Sequence, residues 1–432
     1  MLFPTLNSKS QRYRYLILGA IAALILLLTT TTSSSGQRSE QAHAADNFID
    51  MIGVVTHLRY LDTAYKNYDD IIKPRLQELG LRHIRDGLSL EDETSRNKVL
   101  DLGESGIHAT LVMDPRWIKT PENAVALVKA AAPAVEAVEG PNEWDVWPDL
   151  TYKGNSFPAG LKQFQAELYE ALKQDPDTAE VAVLSPAIAH WWNAPKVGRV
   201  SCDFGTMHSY AGGKLPSTRK LDTNWIPSAR LLCPDQPIVA TETGWHNAVD
   251  HTNAPQPGIS EAASGKYIPR LYLEYFNRQI KRAFTYELIN EWTRDNQESN
   301  FGLLRYDGSR KPAFVALRNL IDLLADPGDA FTPDALNYTL SGNLDRVHHT
   351  LLQKRDRRFY LVLWQEVSSF NLETKRDTAV GDRPLTLTLD TPAAEVKTYR
   401  PVTAATPLTQ ETNLDRLELN VPDHPLVIEM SF

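Results

Sequence analysis

The sequence predicts an α/β fold, a (β/α)₈ TIM barrel followed by a small antiparallel β-sandwich, on three observations. Between residues 50 and 325, eight short and almost wholly apolar runs alternate with stretches of helical period. No glycine-rich phosphate turn follows the first run, GVVTHLRY, as a doubly wound open sheet would require. Beyond residue 325 the texture changes to short alternating runs broken by Pro, Asp and Gly. Runs apolar on both faces belong to a parallel sheet covered by helices, and eight such units close a barrel of ordinary size.

In chain order, residues 1–44 come first. Arg12 and Arg14 precede the apolar run YLILGAIAALILLL, a Ser/Thr/Gln-rich stretch follows, and Ala42-His43-Ala44 supplies an A-x-A site. This is the pattern of an export signal, with an uncleaved amino-terminal membrane tether as the alternative. Either way the body is expected to be secreted, periplasmic or anchored at the cell surface. Residues 45–325 carry the barrel strands: MIGVVTH, LRHIRDG, HATLVMD, AVEAVEG, VAVLSPA, FGTMHSY, PIVATET and RAFTYEL. Between them YDDIIKPRLQELG, TPENAVALVKAAAP, GLKQFQAELYEALKQD and YIPRLYLEYFNRQIKRA have helical spacing, with Thr120 placed to start one helix and Gly80 to end another. Residues 326–432 contain RFYLVLWQE, PLTLTLD, AEVKTYRP, RLELNVP and PLVIEMSF, interrupted about every ten residues as in a β-sandwich.

Charge excludes one class of partner. The net charge is −9, and the first 44 residues hold four basic groups against one acidic group, leaving a body of −12. Nucleic-acid binding needs clustered Lys and Arg, so it is set aside. The only cysteines, Cys202 and Cys233, lie just before the sixth and seventh runs. In an oxidising compartment they can pair; two buried thiols are the alternative.

Catalytic groups in such barrels sit at the carboxyl ends of the strands. Those ends read His57, Arg85-Asp86, Asp114, Asn142-Glu143, Ser185, His208 with Tyr210, Glu242, and Tyr286-Glu287. Trp117, Trp144, Trp191, Trp192, Trp245 and Trp292 follow shortly after strand ends, six of the nine tryptophans. Indole faces that stack on sugar C–H surfaces, beside carboxylates and amides for hydroxyls, point to a polysaccharide or oligosaccharide. Glycoside hydrolysis needs two carboxyl groups flanking the scissile bond. Glu143 on strand four and Glu242 on strand seven face each other across a closed barrel.

These residues resemble the retaining glycoside hydrolases of clan A, with an acid/base Glu after Asn on strand four and a nucleophile Glu on strand seven. Arg85, His208-x-Tyr210, the segment TYELINEW and the segment FGLLRYDGSRKPAFVAL also match. The trailing β-domain makes the chain similar to family 39 xylosidases and exopolysaccharide endoglycosidases. It departs from the commonest family 39 form, for Trp144 rather than Pro follows Glu143. The resemblance implies a β-glycosidase in which Glu242 is the nucleophile, Glu143 the acid/base and Asn142 the partner of the sugar 2-hydroxyl. It also implies that His208 orients the acid/base and that Tyr210 and Arg85 support Glu242. Trp292 is expected to floor the cleaved sugar's subsite, and His57, Asp114 and Glu287 to contact hydroxyls. A separation of about 5–5.5 Å between the two carboxyl groups is expected for double displacement, and above about 6.5 Å for inversion. A transglycosidase and a silent carbohydrate-binding barrel use the same residues.

Two glutamates compete for these roles. Glu291 also follows an asparagine but lies beside strand seven rather than opposite it, and Glu139, inside strand four, is expected to pair with Arg85. No cofactor and no metal is expected: strand one offers a single His rather than His-x-His, and His348-His349 falls on a strand whose neighbours point to opposite faces. A monomer is expected.

Overall fold

The computed structural model describes residues 38–251 and 254–432. The leader expected over the first residues lies outside them up to residue 37. Among the described residues no helix is long and apolar enough to cross a membrane.

Eight parallel strands form the barrel: Ile52–Val55, His83–Asp86, His108–Val112, Val135–Glu139, Ala182–Leu184, Gly205–His208, Ile238–Thr243 and Arg282–Thr285. Each pairs with its neighbours in sequence, and the eighth pairs back with the first. The fifth and sixth close the ring through a bridge between Leu184 and Phe204. The interior is filled by Val55, Ala137, Leu184, Val239 and Phe284 from five different strands. Gly53 makes room for this plug, since a Cβ there would meet the Phe284 ring at 2.5 Å. The helices begin and end where local chemistry requires. Thr120 caps Pro121–Ala131 by accepting the Asn123 N–H, and Gly80 ends Lys73–Leu79 in the left-handed conformation, φ 72°. Cys202 and Cys233 are bonded, with Cα atoms 6.1 Å apart, which fastens the strand-six approach to the helix Ile226–Leu232.

The carboxyl-terminal domain fits a β-sandwich. Its long strand Arg383–Tyr399 breaks register between Thr388 and Ala393, so its two halves serve different partners. The first half pairs with Ala335–Gly342 and the second with Leu426–Ser431, the way a bulge turns a sheet over its own core. Leu340, Leu361, Leu387, Val396 and Ile428 fill that core. Residues 38–44, which the sequence reading assigns to the polar leader and linker, also enter this sheet: Arg38–Gln41 pairs with Ala335–Gly342, and His43–Ala44 with Val347–Gln353. The Ala42-His43-Ala44 motif is therefore part of the folded β-domain.

The domains meet on the helix Glu261–Phe276. Arg270, fully buried, donates from Nε to Glu366 (2.8 Å) and from Nη1 to the Val367 and Asp423 carbonyls, 3.0 Å each. Glu274 accepts from the Trp364 indole (3.0 Å) and pairs with His348 (2.5 Å), whereas His349 turns the other way to Glu40 (2.9 Å). The adjacent histidines thus face opposite sides of their strand, as strand geometry requires.

Candidate active site

The site is organised around Arg85, which ends the second barrel strand almost wholly buried. Its guanidinium reaches three partners: Nε to Glu139 (2.5 Å), Nη1 to Glu242 (2.7 Å) and Nη2 to the Asn142 side-chain oxygen (2.7 Å). Glu139 is thus the arginine's buried counter-ion, as expected. Because Asn142 accepts through its oxygen, its amide N–H groups are left as donors for a ligand.

Glu242 closes the seventh strand. Besides Arg85 it accepts the Tyr210 hydroxyl at 2.7 Å and has His208 Nδ1 at 3.5 Å. Burial works to raise its pKa, but His208, Arg85 and the Tyr210 hydroxyl together hold the carboxyl below its usual range. Glu242 is therefore ionised at neutral pH, the state a nucleophile needs.

Glu143 follows the fourth strand with φ 50° and ψ 39°, a left-handed conformation unusual for a side-chain-bearing residue. Such strain costs on the order of 1–3 kcal/mol and persists where neighbours fix it. Here the Glu143 N–H donates to the Ala187 carbonyl (2.9 Å), and Asn142 bridges to Ala187 in the same extension of strand four against strand five. The turn aims Glu143 inward, where Oε1 meets His208 Nδ1 at 2.7 Å. A carboxylate oxygen of Glu143, one of Glu242 and a ring nitrogen of His208 all lie within 4.8 Å of one another. Burial would lower the His208 pKa, but Glu242, Glu139 and Glu143 override it and push it up to about 10.

The other expected residues take varied positions. His57 and Asn142 line, with Glu242, Arg85, Arg59 and Trp117, a cavity of about 170 Å³ at the barrel mouth. His57 stacks on Tyr60, rings 4.6 Å apart and nearly parallel; burial pushes its pKa down to about 3, against the pull of Glu242, so the imidazole is neutral. Asp114 is fully buried and does not reach the cavity. Its oxygens take the Arg116 guanidinium (2.7 and 3.0 Å) and the Asn142 N–H (3.0 Å), so it holds the Asn142 turn instead of a hydroxyl. Glu287 is also fully buried, accepting from Tyr65 at 3.0 Å. Trp292 lies under the Arg294 guanidinium, 5.0 Å from its ring, and is not part of the cavity lining. Tyr286 is the aromatic near Glu242 instead, in edge contact with His57, Tyr210 and Phe301.

A second trio, His57, Glu287 and Glu291, brings ligand-type atoms within 4.8 Å. Burial, then Glu291, raises the Glu287 pKa well above normal; burial, with Glu298 and Asp62, pushes Glu291 up to about 7. Glu287, held protonated, offers no ionised oxygen to a divalent ion, and Glu291 is only about half ionised at neutral pH. In the first trio the Arg85 cation already neutralises Glu242.

The sequence reading missed Arg59, Arg116, Asp145 and Trp147. It also counted Trp144 and Trp245 toward the ligand face, yet they are 0% and 3% exposed. The Trp144 indole N–H is taken by the Leu150 carbonyl (3.0 Å) and that of Trp245 by the Lys214 carbonyl (3.0 Å).

Neither a protein-family model nor a curated protein matches the chain. Solved structures do. A family 39 glycoside hydrolase from the gut symbiont Bacteroides cellulosilyticus WH2 aligns with TM-score 0.58 at 16% identity, over 90% of this chain and 82% of that one. The GH39 enzyme from Xanthomonas axonopodis pv. citri gives TM-score 0.55 at 16% identity, over 91% and 96%. A glucosidase from Croceicoccus marinus gives 0.61 at 10% identity, over 92% and 97%. At these identities the likeness is one of fold, and it extends across both domains.

Proposed function

We propose that this chain is a family 39-like retaining β-glycosidase acting on a polysaccharide or oligosaccharide, with Glu242 as nucleophile and Glu143 as acid/base. The observation that carries the reading is the convergence of Glu143 and Glu242 on His208, with their nearest oxygens within 4.8 Å. Double displacement operates at carboxyl separations of about 5–5.5 Å, too close to seat a water between the groups as inversion does.

In the first step the Glu242 carboxylate attacks the anomeric carbon while Glu143 protonates the departing glycosidic oxygen. The C–O bond to the leaving group breaks as the bond to Glu242 forms. In the second step Glu143, now ionised, takes a proton from water, which displaces Glu242 and restores the starting state. Arg85 and Tyr210 keep the nucleophile charged and oriented, and the free Asn142 N–H groups can bond the 2-hydroxyl as charge develops. Two features support action outside the cytoplasm: the basic residues followed by an apolar run at the start of the sequence and the Cys202–Cys233 bond.

The test is a panel of β-glucans, xylans, mannans, galactans and exopolysaccharide with product sizing, run on the native chain and on Glu242→Gln. Turnover by the native chain and none by the variant, with binding retained, is expected. Near-native activity in Glu242→Gln overturns the assignment.

A further inference from the structure

Resting on the glycosidase reading of Glu143 and Glu242, we propose that the substrate is a polymer cut internally, its leaving portion lying on a platform formed by Trp147 and Trp192. Trp147 is 48% and Trp192 55% exposed, against 0% for Trp144 in the same loop. Leaving half an indole in water forgoes a large apolar burial, and exposed apolar clusters on soluble chains mark binding surfaces. Leu61 and Val146 are exposed as well, so four such side chains lie on loops that follow barrel strands, at the end where the catalytic groups sit.

The two indoles are held in place. Asp145, two residues before Trp147 and with its side chain buried, accepts the Ala189 N–H (2.9 Å), the His190 N–H (3.0 Å) and the Asn193 amide (2.9 Å). One carboxylate therefore ties the loop bearing Trp147 to the loop bearing Trp192. Trp192 leans on His190, ring centres 4.5 Å apart, and Trp147 carries the Arg116 guanidinium over its ring at 4.9 Å. Rings fixed before a ligand arrives lose little freedom when it binds.

Position assigns the side of the cleft. The 170 Å³ cavity is lined from the ends of strands one to four together with Glu242. Trp147 lies in the loop after strand four, four residues past Glu143, and Trp192 in the loop after strand five, on the side of strand four away from strands one to three. The acid must stand at the leaving oxygen, so what lies past it faces the departing chain. A single small leaving group offers one ring at most, whereas consecutive sugar residues of a polymer offer a face to each indole.

The probe is affinity electrophoresis of Glu242→Gln, which leaves the polymer intact, through gels containing β-glucan, xylan, galactomannan or galactan. At least one polymer is expected to retard it, and adding Trp147→Ala with Trp192→Ala is expected to weaken that retention by roughly tenfold or more. Leu231→Ala, a similarly exposed side chain on the helix Ile226–Leu232, serves as the control and keeps the retention. An unchanged melting temperature shows that the tryptophan variant is folded. Equal retention in the tryptophan variant, or no retention in any gel, overturns the platform. Loss of the proposed hydrolytic activity would appear separately, as no turnover by the native chain in solution, with the gel result still standing.

Discussion

Two arginines, Arg85 and Arg270, are buried almost equally deeply, yet they serve different ends. Arg270 is enclosed at the junction of the domains, and its partners Glu366 and Asp423 are buried with it, with the half-buried Val367 supplying a further carbonyl. Arg85 bonds Glu139 in the same closed manner, but its other two partners, Glu242 and Asn142, face a cavity. A buried ion pair by itself is weak evidence of function or of stability. What marks Arg85 is that its charge is directed at groups with space in front of them. Both networks hold an anion in place, and only one leaves that anion something to react with.

The largest expected effect separates them by activity. Replacing Arg85 and Glu139 together by Met removes a cation and an anion at once and leaves Glu242 held by Tyr210 and His208, so the chain should still fold. Turnover should nevertheless fall by roughly 10²–10³-fold, the scale of losing one preorganised electrostatic partner. Near-native rates in the folded double variant would show that Arg85 is structural, like Arg270.

The converse change acts on stability. Arg270→Ala should destabilise by about 3–5 kcal/mol because Glu366 is left buried without a counter-charge, keeping only its bonds from Ser217, whereas Arg270→Met with Glu366→Met should cost much less. Denaturant melts of the two variants check this, and activity per folded molecule should match the native chain in both. A comparable loss comes from Cys202→Ser with Cys233→Ser, which opens a loop spanning 31 positions and should cost about 3–4 kcal/mol, read by the same melts with and without reductant.

The smallest effect sharpens the account of Glu242. His208 is the leading favourable influence holding that carboxyl low, and it stays protonated, its own pKa being about 10. Removing it in His208→Asn lets the Glu242 pKa rise. Glu242 must be ionised to attack, so the acid limb of the kcat/KM profile should move to higher pH. An unmoved limb would mean that Arg85 and Tyr210 suffice.

How much of this was legible in the sequence depended on where the determining contacts lie. Barrel strands covered on both faces announce themselves as continuous apolar runs, and the strand ends then place Arg85, Asn142, Glu143, His208 and Glu242 with no further knowledge. The Glu139 pairing followed from its position inside strand four. Loop residues were harder. Asp114 looked like a hydroxyl partner because it ends a strand, but Arg116 two residues later saturates it. Trp144 and Trp147 are three residues apart with opposite exposure, because a hydrogen bond to the Leu150 carbonyl turns one inward. Residues 38–44 read as polar linker since edge strands carry little apolar signal of their own, and their pairing is with residues almost 300 positions away.

The central claim is that Glu143 and Glu242 act as an adjacent pair in two successive displacements at one carbon. Proton NMR of the first product formed, on whichever polymer or aryl β-glycoside the chain turns over, tests it most directly. The account predicts that the β-anomer appears first and equilibrates afterwards; initial appearance of the α-anomer would contradict it.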